Sequence, residues 1–130
     1  MIFFIKKNSS LPKLVFEISD SIIENYSLTQ EMLENCAITF SMIDSETGKY
    51  KIANVPAKLN VETPNLSFTE FKKFHLIYQF RLKDTNKIGN YFGEFKIDFL
   101  ESCTAGKLTL PVDDRIIIVV HDSITKTDVI

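Results

Sequence analysis

Tryptophan is absent from this 130-residue chain, cysteine and histidine occur twice each, and glycine and proline four times each. Four glycines leave little room for a loop that cradles a phosphate, and neither a Gly-rich phosphate loop nor a Gly-x-Ser-x-Gly elbow occurs. His75 and His121 stand alone, without a Cys or His at metal-ligand spacing. Asp44-Ser45-Glu46-Thr47-Gly48 and Asp113-Asp114-Arg115 lack the calcium-loop pattern and read as turns. One-sided charge is missing too: fifteen Lys and Arg are scattered among seventeen acids, with no basic stripe for nucleic acid. No stretch approaches the ~18 apolar residues of a membrane span. In Met1-Ile2-Phe3-Phe4-Ile5-Lys6-Lys7 the apolar residues precede the lysines, the reverse of a signal peptide. The expectation is a non-enzymatic protein made in a cytoplasm, with no cofactor, metal, nucleic acid, membrane or small-molecule substrate.

Cys36 and Cys103 invite comparison with the disulfide of antibody domains, which packs on a buried Trp that this chain lacks. Cys103 also lies in a Ser-Cys-Thr-Ala-Gly segment rather than mid-strand. Two reduced structural thiols are expected.

What is present is an ordinary globular composition, 45% hydrophobic and 25% charged, with eleven Phe and four Tyr for a core. A chain of this length is one domain and buries about two thirds of its unfolded surface. Period-two alternation recurs throughout, the mark of half-buried strands. Leu14, Phe16 and Ile18 alternate with polar residues, although Val15 breaks the polar face. Ile38, Phe40 and Met42 oppose Ala37, Thr39 and Ser41. A turn with Gly48 at a position wanting positive φ then predicts a hairpin into Tyr50 to Val55. Ala57, Leu59 and Val61 follow, then Leu76, Tyr78, Phe80 and Leu82 against His75, Gln79, Arg81 and Lys83. A polar turn, Asp84 to Lys87, leads to Tyr91, Gly93, Phe95, Ile97 and Phe99. The final run, Ile116 to Val120, does not alternate, which predicts a strand covered on both faces, the second cover being open to another subunit. Short strands with regular turns make a sandwich rather than a barrel.

Thr29 can cap a helical turn over residues 30–34, and Ser67-Phe68-Thr69-Glu70 has capping-box spacing. Phe68, Phe71 and Phe74 recur every third residue and read either as a helix plugging one end of the sandwich or as an aromatic pad for a partner. Residues 1–13 form an N-terminal arm or first strand, 14–122 the sandwich, and 123–130 a tail. Ile2-Phe3-Phe4-Ile5 needs cover. It either opens the domain's own sheet or adds to a neighbouring subunit's sheet, in which case deleting residues 1–7 should leave a folded monomer that no longer associates.

The succession Ala37-Ile38-Thr39-Phe40-Ser41-Met42-Ile43-Asp44, Leu76-Ile77-Tyr78-Gln79-Phe80, Gly89-Asn90-Tyr91-Phe92-Gly93-Glu94-Phe95-Lys96-Ile97, Leu108-Thr109-Leu110-Pro111 and the closing Ile/Val strand resembles the immunoglobulin-like N-terminal domain of phage baseplate upper proteins. It covers residues 14–120. The resemblance implies an all-β, immunoglobulin-like antiparallel β-sandwich of about seven to eight strands, with one or two short helical turns. Those proteins continue into a receptor-binding segment, whereas this chain stops about ten residues after the last strand. The implied role is a virion structural protein, either an auxiliary or decoration protein of the capsid or an adaptor carrying fibres or tail parts. Its partners would be capsid, tail or fibre subunits and copies of itself. The interface expectation falls on Ile2, Phe3, Phe4, Ile5, Phe92, Val129 and Ile130. An alternative is a receptor- or carbohydrate-binding module using Phe92 and Tyr50.

Overall fold

The computed structural model describes residues 1–62, 72–99 and 106–122. Among these, nine strands form two sheets, and the molecule is an all-β sandwich. The strands are β1 (Ile2–Lys6), β2 (Leu14–Glu17), β3 (Ala37–Asp44), β4 (Tyr50–Pro56), β5 (Lys58–Glu62), β6 (Lys73–Tyr78), β7 (Gly89–Asp98), β8 (Lys107–Leu110) and β9 (Ile116–His121). The larger sheet runs β1-β9-β7-β3-β4, and the smaller β2-β6-β5. β3 pairs with β7 from Asp44↔Tyr91 to Ala37↔Asp98, occupying one edge of β7 along most of its length. The other edge is shared, with β9 on Gly89–Gly93 and β8 on Phe95–Asp98. All pairings are antiparallel except β1 with β9, which run parallel from Ile2↔Ile117 to Lys6↔His121.

Alternation decides which side chains meet between the sheets. Tyr91, Gly93, Phe95 and Ile97 of β7 point inward beside Ile38, Phe40 and Met42 of β3, facing Leu14, Leu76 and Tyr78 from the smaller sheet. The Phe40 ring is the centre of this layer, stacked on Tyr78 at 4.6 Å and 4.9 Å from Phe95. Complete burial of such side chains contributes roughly 1.5–3 kcal/mol each. Gly93 makes room for it, since a Cβ there would lie 2.8 Å from Phe40 Cζ. The chain crosses from β4 to β5, and so between sheets, through Pro56 and Ala57.

Two short helices join β2 to β3. α2 (Gln30–Glu34) is capped by Thr29, whose hydroxyl accepts from Met32 N–H at 3.2 Å, and it buries Leu33. α1 (Asp20–Asn25) lies outside the expected elements. Its signal was Ser19, whose hydroxyl accepts from Ile22 N–H at 3.3 Å. The hairpin turn between β3 and β4 has Gly48 at φ +71°, and the Asp44 carboxylate accepts from the backbone of Glu46 and Thr47. Those bonds hold the Asp44 pKa below the ordinary carboxylate value.

The strand expected to run to Lys83 ends at Tyr78. Leu82 is 61% exposed, and residues 82–85 form a 3₁₀ turn whose Asp84 and Thr85 are buried rather than solvated. The cause is a polar anchor. Asp84 accepts from the Tyr78 hydroxyl at 2.6 Å, from Arg81 N–H at 2.8 Å and from the Arg81 guanidinium at 2.8 Å. Thr85 donates to Ser9 O at 2.7 Å and its carbonyl accepts from Asn8 N–H, tying the turn to the β1–β2 connection. Ser41, expected on the polar side of β3, is also buried, because Asn54 N–H donates to its hydroxyl at 2.9 Å.

Candidate functional site

An antiparallel sheet with one free face normally alternates apolar-in and polar-out. β9 and β1 break that rule: Ile117, Val119, Ile2 and Phe4 occupy their outward positions. The register carries the consequence across the sheet. Ile2 pairs with Ile117, Ile117 with Phe92, Phe92 with Ile43, and Ile43 with Tyr50. Paired residues share a face, so one apolar side chain from each of five neighbouring strands forms a row on the outside of the larger sheet, passing a register shift beside Ile43 where it reaches β4. At an inter-strand spacing of about 4.8 Å the row is roughly 19 Å long. Phe4 and Val119 widen it at the β1 end. Ile2, Phe4 and Tyr50 are about three-fifths exposed, at 59%, 60% and 60%.

Polar groups border the row. The Arg115 guanidinium lies over the Phe92 ring, 4.7 Å from its centroid, and beyond it Glu94, Lys96 and Asp98 line the outward side of β7. Lys96 and Glu94 approach to 3.7 Å, a solvated pair worth little by itself. At the opposite border stand Asn90, Lys6 and His121, with the Phe4 ring edge-on to His121 at 6.2 Å. Asp114 accepts from Arg115 N–H at 2.7 Å, which holds its carboxyl below the ordinary value. Two shallow clefts flank Phe92. One of about 110 Å³ is lined by Ser41, Ile43, Tyr50, Phe92 and Glu94, and one of about 380 Å³ reaches Pro111, Asp114 and Arg115.

No family model, curated protein or solved structure matches this chain.

The expected interface residues therefore separate by geometry alone. Ile2, Phe4 and Phe92 lie on the outer face, and Tyr50 joins them. Phe3 and Ile5 point inward: Phe3 stacks on Phe80 at 5.7 Å, and Ile5 is 1% exposed within the core. The N-terminal segment is the first strand of the chain's own sheet, pairing in parallel with β9 along one of its edges. Val129, Ile130, Phe68, Phe71 and Cys103 lie outside the described residues, while Phe74 is buried in the core. Ile117, Val119, Ile43 and Arg115 were not singled out. The unbroken apolar run of β9 was the available signal for the first two, and Ile43, apolar directly after Met42, carried a weaker one.

His75 sits within β6, the central strand of the smaller sheet, and its Nδ1 is buried without a hydrogen-bond partner. Cys36 carries a free thiol that donates to Leu33 O, and burial raises its pKa. Among the described residues no three His, Cys, Asp or Glu side chains converge as a metal site, and no helix is long and apolar enough to cross a membrane.

Proposed function

We propose that this chain is a non-enzymatic, immunoglobulin-like structural protein of a phage particle, docked through the outer face of its larger sheet. The observation that carries the reading is the row Ile2–Ile117–Phe92–Ile43–Tyr50, an apolar strip that no solvated sheet face requires. The immunoglobulin-like assignment draws support from the strand order. The smaller sheet's β2-β6-β5 corresponds to strands B, E and D of a variable-type domain. The larger sheet's β9-β7-β3-β4 corresponds to G, F, C and C′, with β8 completing G. The mechanism is passive: burial of apolar face against capsid, tail or fibre subunits strengthens a shell or seats a fibre. The protein resides in the virion after synthesis in the host cytoplasm.

Immunogold labelling of purified particles from the source, with antibody to this chain, tests the reading. Gold spread over heads supports a capsid auxiliary protein, and gold at tail ends supports a baseplate or fibre adaptor. Particles without gold overturn it. A second reading has one observation in its favour: Tyr50, Phe92 and the Glu94 carboxylate line a single cleft, the combination with which proteins stack and hydrogen-bond sugars. A glycan array that captures the protein, with loss on Tyr50→Ala, supports a carbohydrate module; an array without signal discards it.

A further inference from the structure

We propose that the outer face of the larger sheet pairs with the same face of a second copy of this chain, giving a two-fold dimer. The inference rests on the reading of that face as a docking surface, and adds the identity of the occupant.

Three observations select a second copy. The first is area. The six strands of the larger sheet are four to ten residues long, and at about 3.3 Å per residue and about 4.8 Å between strands they cover roughly 630 Å². A standard pairwise interface takes about 600–1,000 Å² from each partner. The face thus reaches the lower end of what one half of a dimer needs.

The second is charge. Lys6, Lys96, Lys107 and Arg115 on this face mix with Glu94, Asp98 and Asp114, four cations against three anions. A partner with strong charge of one sign would find no complementary field here. A copy meets little net repulsion, and its mixed border can pair with the mixed border opposite. An isologous contact requires such a self-complementary patch.

The third is the contrast with the other side of the molecule. Outward positions of the smaller sheet are Val15 and Glu17 on β2, Lys73, His75 and Ile77 on β6, and Lys58, Asn60 and Glu62 on β5. Its two apolar residues, Val15 and Ile77, form a single cross-strand pair whose row ends at Lys58, and Lys73 stands 3.6 Å from Glu17. Among the described residues, the larger sheet is the one whose outer face carries an apolar line across all its strands from β1 to β4.

Sedimentation velocity of the purified chain across a concentration series tests this. The expected species has twice the 14.9 kDa mass of the chain. The double variant Ile2→Lys/Phe4→Lys alters two side chains that are 59% and 60% exposed, so it should keep the circular dichroism of the parent. It should sediment as a monomer, with Kd raised at least about a hundredfold. Val15→Lys on the smaller sheet, 45% exposed in the parent, should leave the dimer intact. A parent that stays monomeric at 100-micromolar-scale concentration overturns the inference, as does a folded double variant that still dimerises. A monomeric parent whose antibody nevertheless labels particles overturns only the second copy as occupant, and returns the face to another virion subunit. A monomer that labels nothing removes the docking reading as well.

Discussion

At position 93 a single methyl group separates a packed core from a strained one. A Cβ there would lie 2.7 Å from Ile118 Cδ1 and 2.8 Å from Phe40 Cζ, and the Phe40 ring is pinned between Tyr78 and Phe95. Gly93→Ala should therefore destabilise by about 1–3 kcal/mol, read as a lower urea midpoint with an unchanged slope. Asp84 makes a pH prediction. Burial alone would raise its pKa, but hydrogen bonds from Arg81 and Tyr78 outweigh that and hold it below the ordinary value. Burial, and beyond it the hydrogen bond to the Asp84 carboxylate, push the Tyr78 phenol up. A carboxylate depressed in the folded state contributes fully above its unfolded pKa of about 4. That contribution is lost as pH falls through the lower folded value. Denaturant midpoints should drop between pH 5 and pH 3 in the parent. Asp84→Asn should be less stable at pH 7 and show a shallower acid decline.

Among the elements, β1 is the one whose treatment separates two views of the N-terminus. Pairing of Ile2–Lys6 with β9 and the burial of Ile5 make it part of the sandwich rather than a detachable arm. Ile5→Ala should cost about 2–5 kcal/mol by thermal or urea unfolding. Deletion of residues 1–7 should then give a poorly folded product instead of a sound monomer, visible as lost near-ultraviolet dichroism. The elements most legible beforehand were those whose signal is local. β7 shows it in alternation, the β3–β4 turn in Asp44 and Gly48, and α2 in its Thr29 cap. The early end of β6 was not legible, because what folds residues 82–85 back is a bond from Tyr78 to Asp84 formed only in three dimensions. The candidate face was legible in pieces. Ile2, Phe4, Phe92 and Tyr50 each stood out, but their alignment follows from the register of five strands, which no single stretch of sequence states.

Taken whole, the molecule is two-sided: a smaller sheet dispersed with charge and a larger one crossed by apolar side chains. If association uses the larger face, its mixed charges, four cations against three anions, predict weak dependence on ionic strength. The dimer constant measured by sedimentation should change less than about threefold between 50 and 500 mM sodium chloride, since screening removes attractions and repulsions alike. A partner held by opposite net charge would dissociate over that range.

The parallel pairing of β1 with β9 also sets a clock on biogenesis. Ile2 leaves the ribosome long before its neighbour Ile117 has been made. At synthesis rates of about 5–20 residues per second that interval is roughly 6–23 s. Throughout it, Phe3 and Ile5 have no sheet to enter. Closing the larger sheet is consequently a late event, and contacts this distant in sequence slow folding further. The nascent chain spends those seconds with an apolar strand that has no partner to pair with.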